Sequence, residues 1–269
     1  MELTRRWLAL VGGEAGAALA PSLARLPGRS AHGARGDLAI AAAEFSEREG
    51  ERGLRLAWNV DGERAEAGAV SAFLHDRGVA VDGLDALLAA HPHAHVQVGV
   101  DGEKTKLYAY RRPLPGLLAG LSAIAEGRER EDAAFACLDF EAAAVLKQYA
   151  EFASAEALAA SARLVAEPAL DAVFRALPTG LSTGPAPYVL TQLQVRGLVV
   201  GHTLHVAVDA APERLADLAG PELAARLAAH FRAAARLGLR LRPTYVSWSR
   251  RRSPAPLRTA YYRLEPARP

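Results

Sequence analysis

His95-Val96-Gln97-Val98-Gly99-Val100-Asp101-Gly102-Glu103-Lys104-Thr105-Lys106-Leu107-Tyr108-Ala109-Tyr110-Arg111 decides the fold. Two alternating runs flank Asp101-Gly102, a dipeptide that favours a tight hairpin turn. Side chains alternate across a strand, so Lys106 and Tyr108 share one face while Leu107 and Ala109 share the other. The same signature returns as Lys147-Gln148-Tyr149, with Leu146 and Gln148 on the opposite face. The chain has only three lysines, and arginine and alanine dominate it, so two lysines in equivalent positions carry weight. A cation and a phenol repeated on one sheet face suit an anionic ligand such as a diphosphate.

Working outward, further hairpins appear at intervals of roughly 40–55 residues. The first runs through Leu38-Ala39-Ile40 to Glu44-Phe45-Ser46, turns over Glu47 to Gly53, and returns through Leu54 to Val60. The third pairs Phe135 to Phe140 with Val145 to Phe152, although the Ala-rich stretch from Glu141 to Val145 is also compatible with helix. The fourth joins Tyr188 to Val195 and Leu198 to Val208 across Arg196-Gly197. The fifth runs from Thr244 to Ser249, turns over Arg250 to Pro256, and returns from Leu257 to Leu264. Helical patterns lie between them, near 66–77, 84–90, 117–126, 155–176 and 212–237, the last broken or restarted at Pro221. Thr179 to Pro187, rich in Gly and Pro, reads as a loop.

Antiparallel hairpins separated by helices exclude a parallel α/β barrel, whose strands alternate singly with helices. The expected fold class is α+β: a ten-stranded antiparallel β-barrel built of five hairpins and surrounded by α-helices, one domain over residues 1–269. Closure predicts an apolar outer face and a lumen free to be polar. Leu54, Leu56 and Trp58 would face outward and Arg55, Ala57 and Asn59 inward; Ala260, Tyr262 and Leu264 outward, Thr259 and Tyr261 inward. An open α+β sheet, with the first and fifth hairpins unpaired, is the alternative.

The balance of 32 basic and 30 acidic residues gives no electrostatic footprint for nucleic acid or a membrane surface. Cys137 is the only cysteine, which excludes an intrachain disulfide and a cysteine zinc site. Arg5-Arg6 before Trp7 to Val11 resembles a signal peptide, but the apolar run is short and Glu14 soon interrupts it. No apolar stretch is expected to reach the ~20 residues that span a bilayer, so the expected location is cytoplasmic.

The one-per-hairpin placement of these residues resembles the aromatic prenyltransferases of the ABBA, or PT-barrel, fold. Glu44-Phe45-Ser46 is similar to the first-strand Glu-Phe-Ser of the dimethylallyl-tryptophan synthase branch, whose Glu orients and helps deprotonate the aromatic nucleophile. The resemblance implies that Arg55, Lys106, Tyr108, Lys147, Tyr149 and Tyr261 bind diphosphate; His205, on the fourth hairpin, is expected to face the lumen and to join them as a diphosphate contact. Two departures thin the cradle: Val145 stands where the family often has Arg, and the fourth hairpin offers Thr203, His205 and Ala207 without a tyrosine. The chain's length is closest to the compact peptide-modifying branch known from cyanobactin pathways.

The resemblance implies transfer of an isoprenyl group, dimethylallyl foremost, from its diphosphate to an aromatic side chain of a peptide or to a small aromatic. Lys106, Lys147 and Arg55 would stabilise the leaving anion, tyrosine rings would shield the allyl cation, and Glu44 would take the acceptor's proton. No aspartate-rich motif appears; no tightly bound cofactor is expected, and any Mg²⁺ would accompany the diphosphate. The competing class is a non-catalytic barrel that sequesters a hydrophobic or anionic metabolite. His91, His93 and His95 would share a face if extended, but Pro92 disturbs that strand, and no metal site is expected there. The Arg250-Arg251-Arg252 turn reads as a solvated hairpin tip.

Overall fold

The structure, a computed structural model, describes residues 2–28, 42–66, 68–112, 115–141, 144–178, 180–181, 184–208, 212–250 and 256–267. Ten strands close into a barrel in which each bonds to its sequence neighbours and the last returns to the first. They are β1 (Ala43–Arg48), β2 (Arg55–Asn59), β3 (Val96–Asp101), β4 (Lys104–Tyr110) and β5 (Phe135–Phe140), followed by β6 (Val145–Phe152), β7 (Tyr188–Val195), β8 (Leu198–Ala207), β9 (Leu239–Arg250) and β10 (Leu257–Pro266). Closure rests on β1 and β10, where Glu44 pairs with Arg263 and Ser46 with Tyr261. The open-sheet alternative is thereby excluded.

Helices α1 (Glu2–Ala24), α2 (Ala69–Asp76), α3 (Leu84–Ala89), α4 (Pro115–Ile124) and α5 (Ala155–Ala159) surround the barrel together with α6 (Ala162–Val165), α7 (Pro168–Arg175), α8 (Pro212–Ala219) and α9 (Pro221–Arg236). Pro221 opens α9 at a position where its missing N–H costs nothing, so the expected restart is present. The predicted helix over 155–176 is three short ones; the Ser154 hydroxyl caps the first by accepting from the Ala157 amide at 3.2 Å.

The expected alternation holds where it was read. Leu56, Trp58, Val98, Leu107, Ala260 and Leu264 are at most 5% exposed and form the layer between barrel and helices. Phe45 is 1% exposed, a burial worth on the order of 1.5–3 kcal/mol. Its ring stacks on Tyr262 at 5.7 Å and meets the edge of Trp7 from α1 at 6.1 Å. Gln148, on the same outer face, is fully buried; its side-chain amide accepts from Gln194 at 3.1 Å, so its desolvation is compensated.

Three expectations need correction. Glu47 and Arg48 belong to β1 rather than to a turn, because β10 offers Ala260 and Thr259 as ladder partners. β9 starts five residues before Thr244: Leu239 and Leu241 alternate with Arg240 and Arg242, and the strand pairs β10 out to Pro266. Leu3–Ala24 is long and apolar enough to cross a membrane by length and composition. Leucine and alanine carry that average past the charges, but positive φ at Gly13 breaks the helix there. Trp7, Leu8, Leu19 and Leu23 of this segment are buried in the protein. The expected strand at Leu38 to Ile40, residues 142–143 of the third turn, parts of the 179–187 loop and Arg251-Arg252 lie outside the described residues.

Each hairpin joins an odd-numbered strand to the next even-numbered one, so all five hairpin turns gather at one end of the barrel. The longer connections gather at the other. This polarity positions the site.

Candidate functional site in the barrel lumen

The inward faces enclose a cavity of about 230 Å³. Glu44, Arg55, Lys106, Tyr108, Lys147, Tyr149, His205 and Tyr261, the eight residues singled out from sequence, all line it. They arrive from six strands, and the register sorts them by height.

At the hairpin end lie Arg48, Arg55, Lys106 and Lys147. Each ammonium is held by an acid. Lys106 Nζ lies 2.6 Å from Asp101 Oδ2, and Lys147 Nζ 2.5 Å from Asp139 Oδ2. Arg55 bridges Asp101 Oδ1 at 2.8 Å and also pairs with Glu51. Burial alone would raise the Asp101 carboxyl, but Lys106 and Arg55 outweigh it and hold the group well below the usual carboxylate range. Asp139 is displaced the same way, against its own burial, by Lys147 and Lys106. Burial and the neighbouring Arg48 lower the Arg55 guanidinium somewhat. A second cavity of about 240 Å³ adjoins this end and shares Arg48, Arg55 and Ser249 with the lumen, adding Arg52 and Lys104.

An aromatic belt occupies the middle. Phe135 and Tyr149 stack at 4.1 Å, Tyr149 lies 5.9 Å from His205, and His205 5.8 Å from Tyr261. Gly99 admits the Tyr108 ring: a Cβ there would stand 3.1 Å from Tyr108 Cε2 and 3.0 Å from Lys106 Cβ. Burial pushes the Tyr108 phenol well above its ordinary value, so it is a neutral donor. Burial, helped by Lys147, lowers His205 to about 3. The imidazole is therefore neutral at pH 7, with Nε2 at 2.9 Å from the Thr191 hydroxyl. It offers a ring face and a hydrogen bond, not a charge.

At the opposite end, Glu44 Oε1 accepts from the Thr244 hydroxyl at 2.7 Å and faces Arg263 at 3.5 Å. Gln97 donates to Asn59 at 2.5 Å and to the Tyr110 hydroxyl at 2.8 Å beside it. Glu151 and Tyr245 complete this mouth.

Sequence reasoning missed Arg48, Asp101, Asp139, Gln97 and Arg263. Arg48 was legible: it stands four residues after Glu44, on the same face of an alternating strand. Asp101 was read as half of the Asp-Gly turn, whereas it ends β3 and turns its carboxylate toward Lys106. Asp139 pairs across the ladder with Lys106, a partnership visible only once register is known. Of the three histidines, His95 Nδ1 accepts from the Gly62 amide at 3.2 Å and His93 Nδ1 lies 3.4 Å from the Gly62 carbonyl. Among the described residues no group of three or more His, Cys, Asp or Glu is arranged to hold a metal. Arg250 closes β9 and pairs with Glu167 at 3.3 Å.

Solved structures share this architecture over nearly the whole chain. The 6-dimethylallyltryptophan synthase from Micromonospora olivasterospora, in complex with DMASPP and Trp, superposes with a TM-score of 0.64 at 18% identity, covering 97% of this chain and 95% of that one. The 5-dimethylallyltryptophan synthase from Streptomyces coelicolor gives 0.63 at 18% identity, over 96% and 94%. Prenyltransferase PriB, in a ternary complex with L-tryptophan and dimethylallyl thiolodiphosphate, gives 0.62 at 19% identity, over 97% and 94%. No protein-family model matches the chain, and no curated protein sequence does. The fold is the ten-stranded, helix-wrapped PT barrel of these prenyltransferases.

Proposed function

We propose that this barrel is a prenyltransferase, moving a dimethylallyl group from its diphosphate to an electron-rich aromatic acceptor. The observation that carries the reading is the convergence of Arg48, Arg55, Lys106 and Lys147 at one end of a single lumen and Glu44 at the other, with aromatic rings between. The diphosphate of the donor would lie among the four cations, which stabilise it more strongly as negative charge builds on C–O cleavage. The allyl cation left behind would face Tyr108, Tyr149 and Tyr261, each ring face worth roughly 0.5–2 kcal/mol. Glu44 would receive the acceptor's proton; among the described residues its partners both sit on Oε1.

The acceptor would enter at the Glu44 end, as a side chain of a peptide or as a small aromatic such as an indole. The donors and tryptophan named with the structural neighbours support the aromatic choice. Asp101 and Asp139 are already engaged by Lys106 and Lys147, so a Mg²⁺ arriving with the donor would be held by phosphate oxygens. Those same pairs favour a second reading, a barrel that binds an anion without turning it over, because they reduce the charge available to a leaving group.

Incubation with dimethylallyl diphosphate and a panel of tryptophan, tyrosine, indole and aromatic peptides, with and without Mg²⁺, separates the two. Prenylated product by mass spectrometry with stoichiometric diphosphate release is expected. Donor retained without diphosphate release, whatever the acceptor, would establish the binding barrel.

A further inference from the structure

Asp139 is 1% exposed, and its Oδ1 has no hydrogen-bond partner among the described residues. Its other oxygen is committed to Lys147. Asp101 is differently placed: Oδ1 has Arg55, Oδ2 has Lys106, and Arg48 lies close enough to lower it further. A buried carboxylate oxygen without a donor is costly; the Lys147 ammonium bonds the other oxygen directly, and Lys106 adds its charge from the neighbouring strand.

The hairpin end is cationic on balance. Arg48, Arg55, Lys106 and Lys147 oppose Asp101, Asp139 and the more exposed Glu51, leaving a net positive charge among them. A prenyl diphosphate near neutral pH brings roughly three negative charges, and it competes for the same ammonium that neutralises Asp139. The groups that face Asp139 are Lys106 and Tyr108 on β4, Cys137 on its own strand, Lys147 on β6 and Asp101 on β3. Cys137 and Tyr108 are held neutral by burial and supply no compensating charge.

We propose that Asp139 takes up one proton from solvent when a diphosphate enters the lumen, releasing Lys147 to the ligand and becoming a neutral carboxylic acid. The acid then supplies a hydroxyl donor where the apo site has a bare oxygen, and the charge of the cradle moves one unit closer to balancing its ligand. Asp139 acts through Lys147 and is a positioning residue. This inference rests on the diphosphate reading of the same site.

The test is calorimetric titration with dimethylallyl thiodiphosphate at pH 7 in buffers of different ionisation enthalpy, which counts protons exchanged on binding. Wild-type protein should take up about one proton more than Asp139→Asn, a difference from which the probe's own protonation cancels. Wild-type affinity should also weaken as pH rises from 6 to 8, by up to about tenfold per unit. Asp139→Glu, which keeps a titratable group, should retain the uptake. Equal proton counts for wild type and Asp139→Asn would overturn the role of Asp139 while leaving the diphosphate site standing. Should Asp139→Asn fail to fold, pH-independent wild-type affinity with no net uptake would overturn it equally. No binding to wild type at any pH would overturn both this inference and the reading beneath it.

Discussion

The two ends of the lumen are built on opposite electrostatic plans. The hairpin end holds full charges in buried pairs: Lys106 with Asp101, Lys147 with Asp139, each residue under 10% exposed. The Glu44 end sets Glu44 and Glu151 among hydroxyls, amides and the half-buried Arg263, along hydrogen bonds of 2.5–2.9 Å. A buried pair is costly to break because the survivor is left charged and dry. A carboxylate that keeps a hydroxyl partner and an arginine nearby has less at stake in folding. Substitutions at the hairpin end should therefore reach stability as well as binding, and those at the Glu44 end should reach the reaction.

The largest test of that contrast is Lys147→Ala. Stranding Asp139 should cost about 3–5 kcal/mol of stability in denaturant unfolding. The paired change Lys147→Met with Asp139→Leu should recover most of the loss, since both charges leave together. If Lys147→Ala is as stable as wild type, the pair contributes nothing to the fold and the contrast fails.

Next is Glu44→Gln. It should leave thiodiphosphate affinity within about threefold while slowing prenyl transfer by roughly 10²–10⁴. Equal loss of donor binding would place Glu44 in the donor site instead. Stability should change by less than about 1 kcal/mol, against the larger loss at the other end.

The middle belt sharpens the comparison through pH. Burial lowers both His205, to about 3, and His230, on α9 outside the belt, to about 4; Lys147 adds to it at His205 and Arg226 at His230. Below about pH 6.5 the unfolded chain binds protons that the folded chain refuses, so this stability is fully present at neutral pH and is lost as pH falls. Between pH 6.5 and 5 each histidine should cost up to about 2 kcal/mol. Asp101 and Asp139 act in the same direction only at lower pH, when they are forced to protonate. His205→Asn should flatten the fall in Tm between pH 7 and 5; an unchanged slope would mean His205 is charged in the fold.

The smallest expected effect belongs to Tyr149→Leu. Losing one ring face toward an allyl cation should slow transfer a few-fold to about thirtyfold, with donor affinity nearly unchanged. No effect on rate would remove Tyr149 from cation shielding.

The legibility of these two ends differs too. Every cation and phenol singled out from sequence reached the lumen, because strand alternation alone decides which way a residue points once a strand is recognised. β5, β6 and β7 also fell where their apolar alternation put them. The carboxylates at the hairpin end were hidden, since Asp101 carries a turn signature and Asp139 meets Lys147 only across a ladder. Arg48 was lost by ending β1 early, an error of boundary rather than of pattern. Gln97 and Arg263 carry no motif at all; only strand register and barrel closure, Glu44 opposite Arg263, bring them to the mouth.

The central claim is a prenyl diphosphate held by Lys106 and Lys147 inside the barrel. Isothermal titration with dimethylallyl thiodiphosphate tests it most directly, comparing wild type with a Lys106→Ala/Lys147→Ala protein stabilised by Asp101→Asn and Asp139→Asn. One-to-one binding to wild type, lost in the substituted protein with its fold intact, is the predicted result. Absence of binding to wild type, or binding that survives removal of both lysines, would contradict the account.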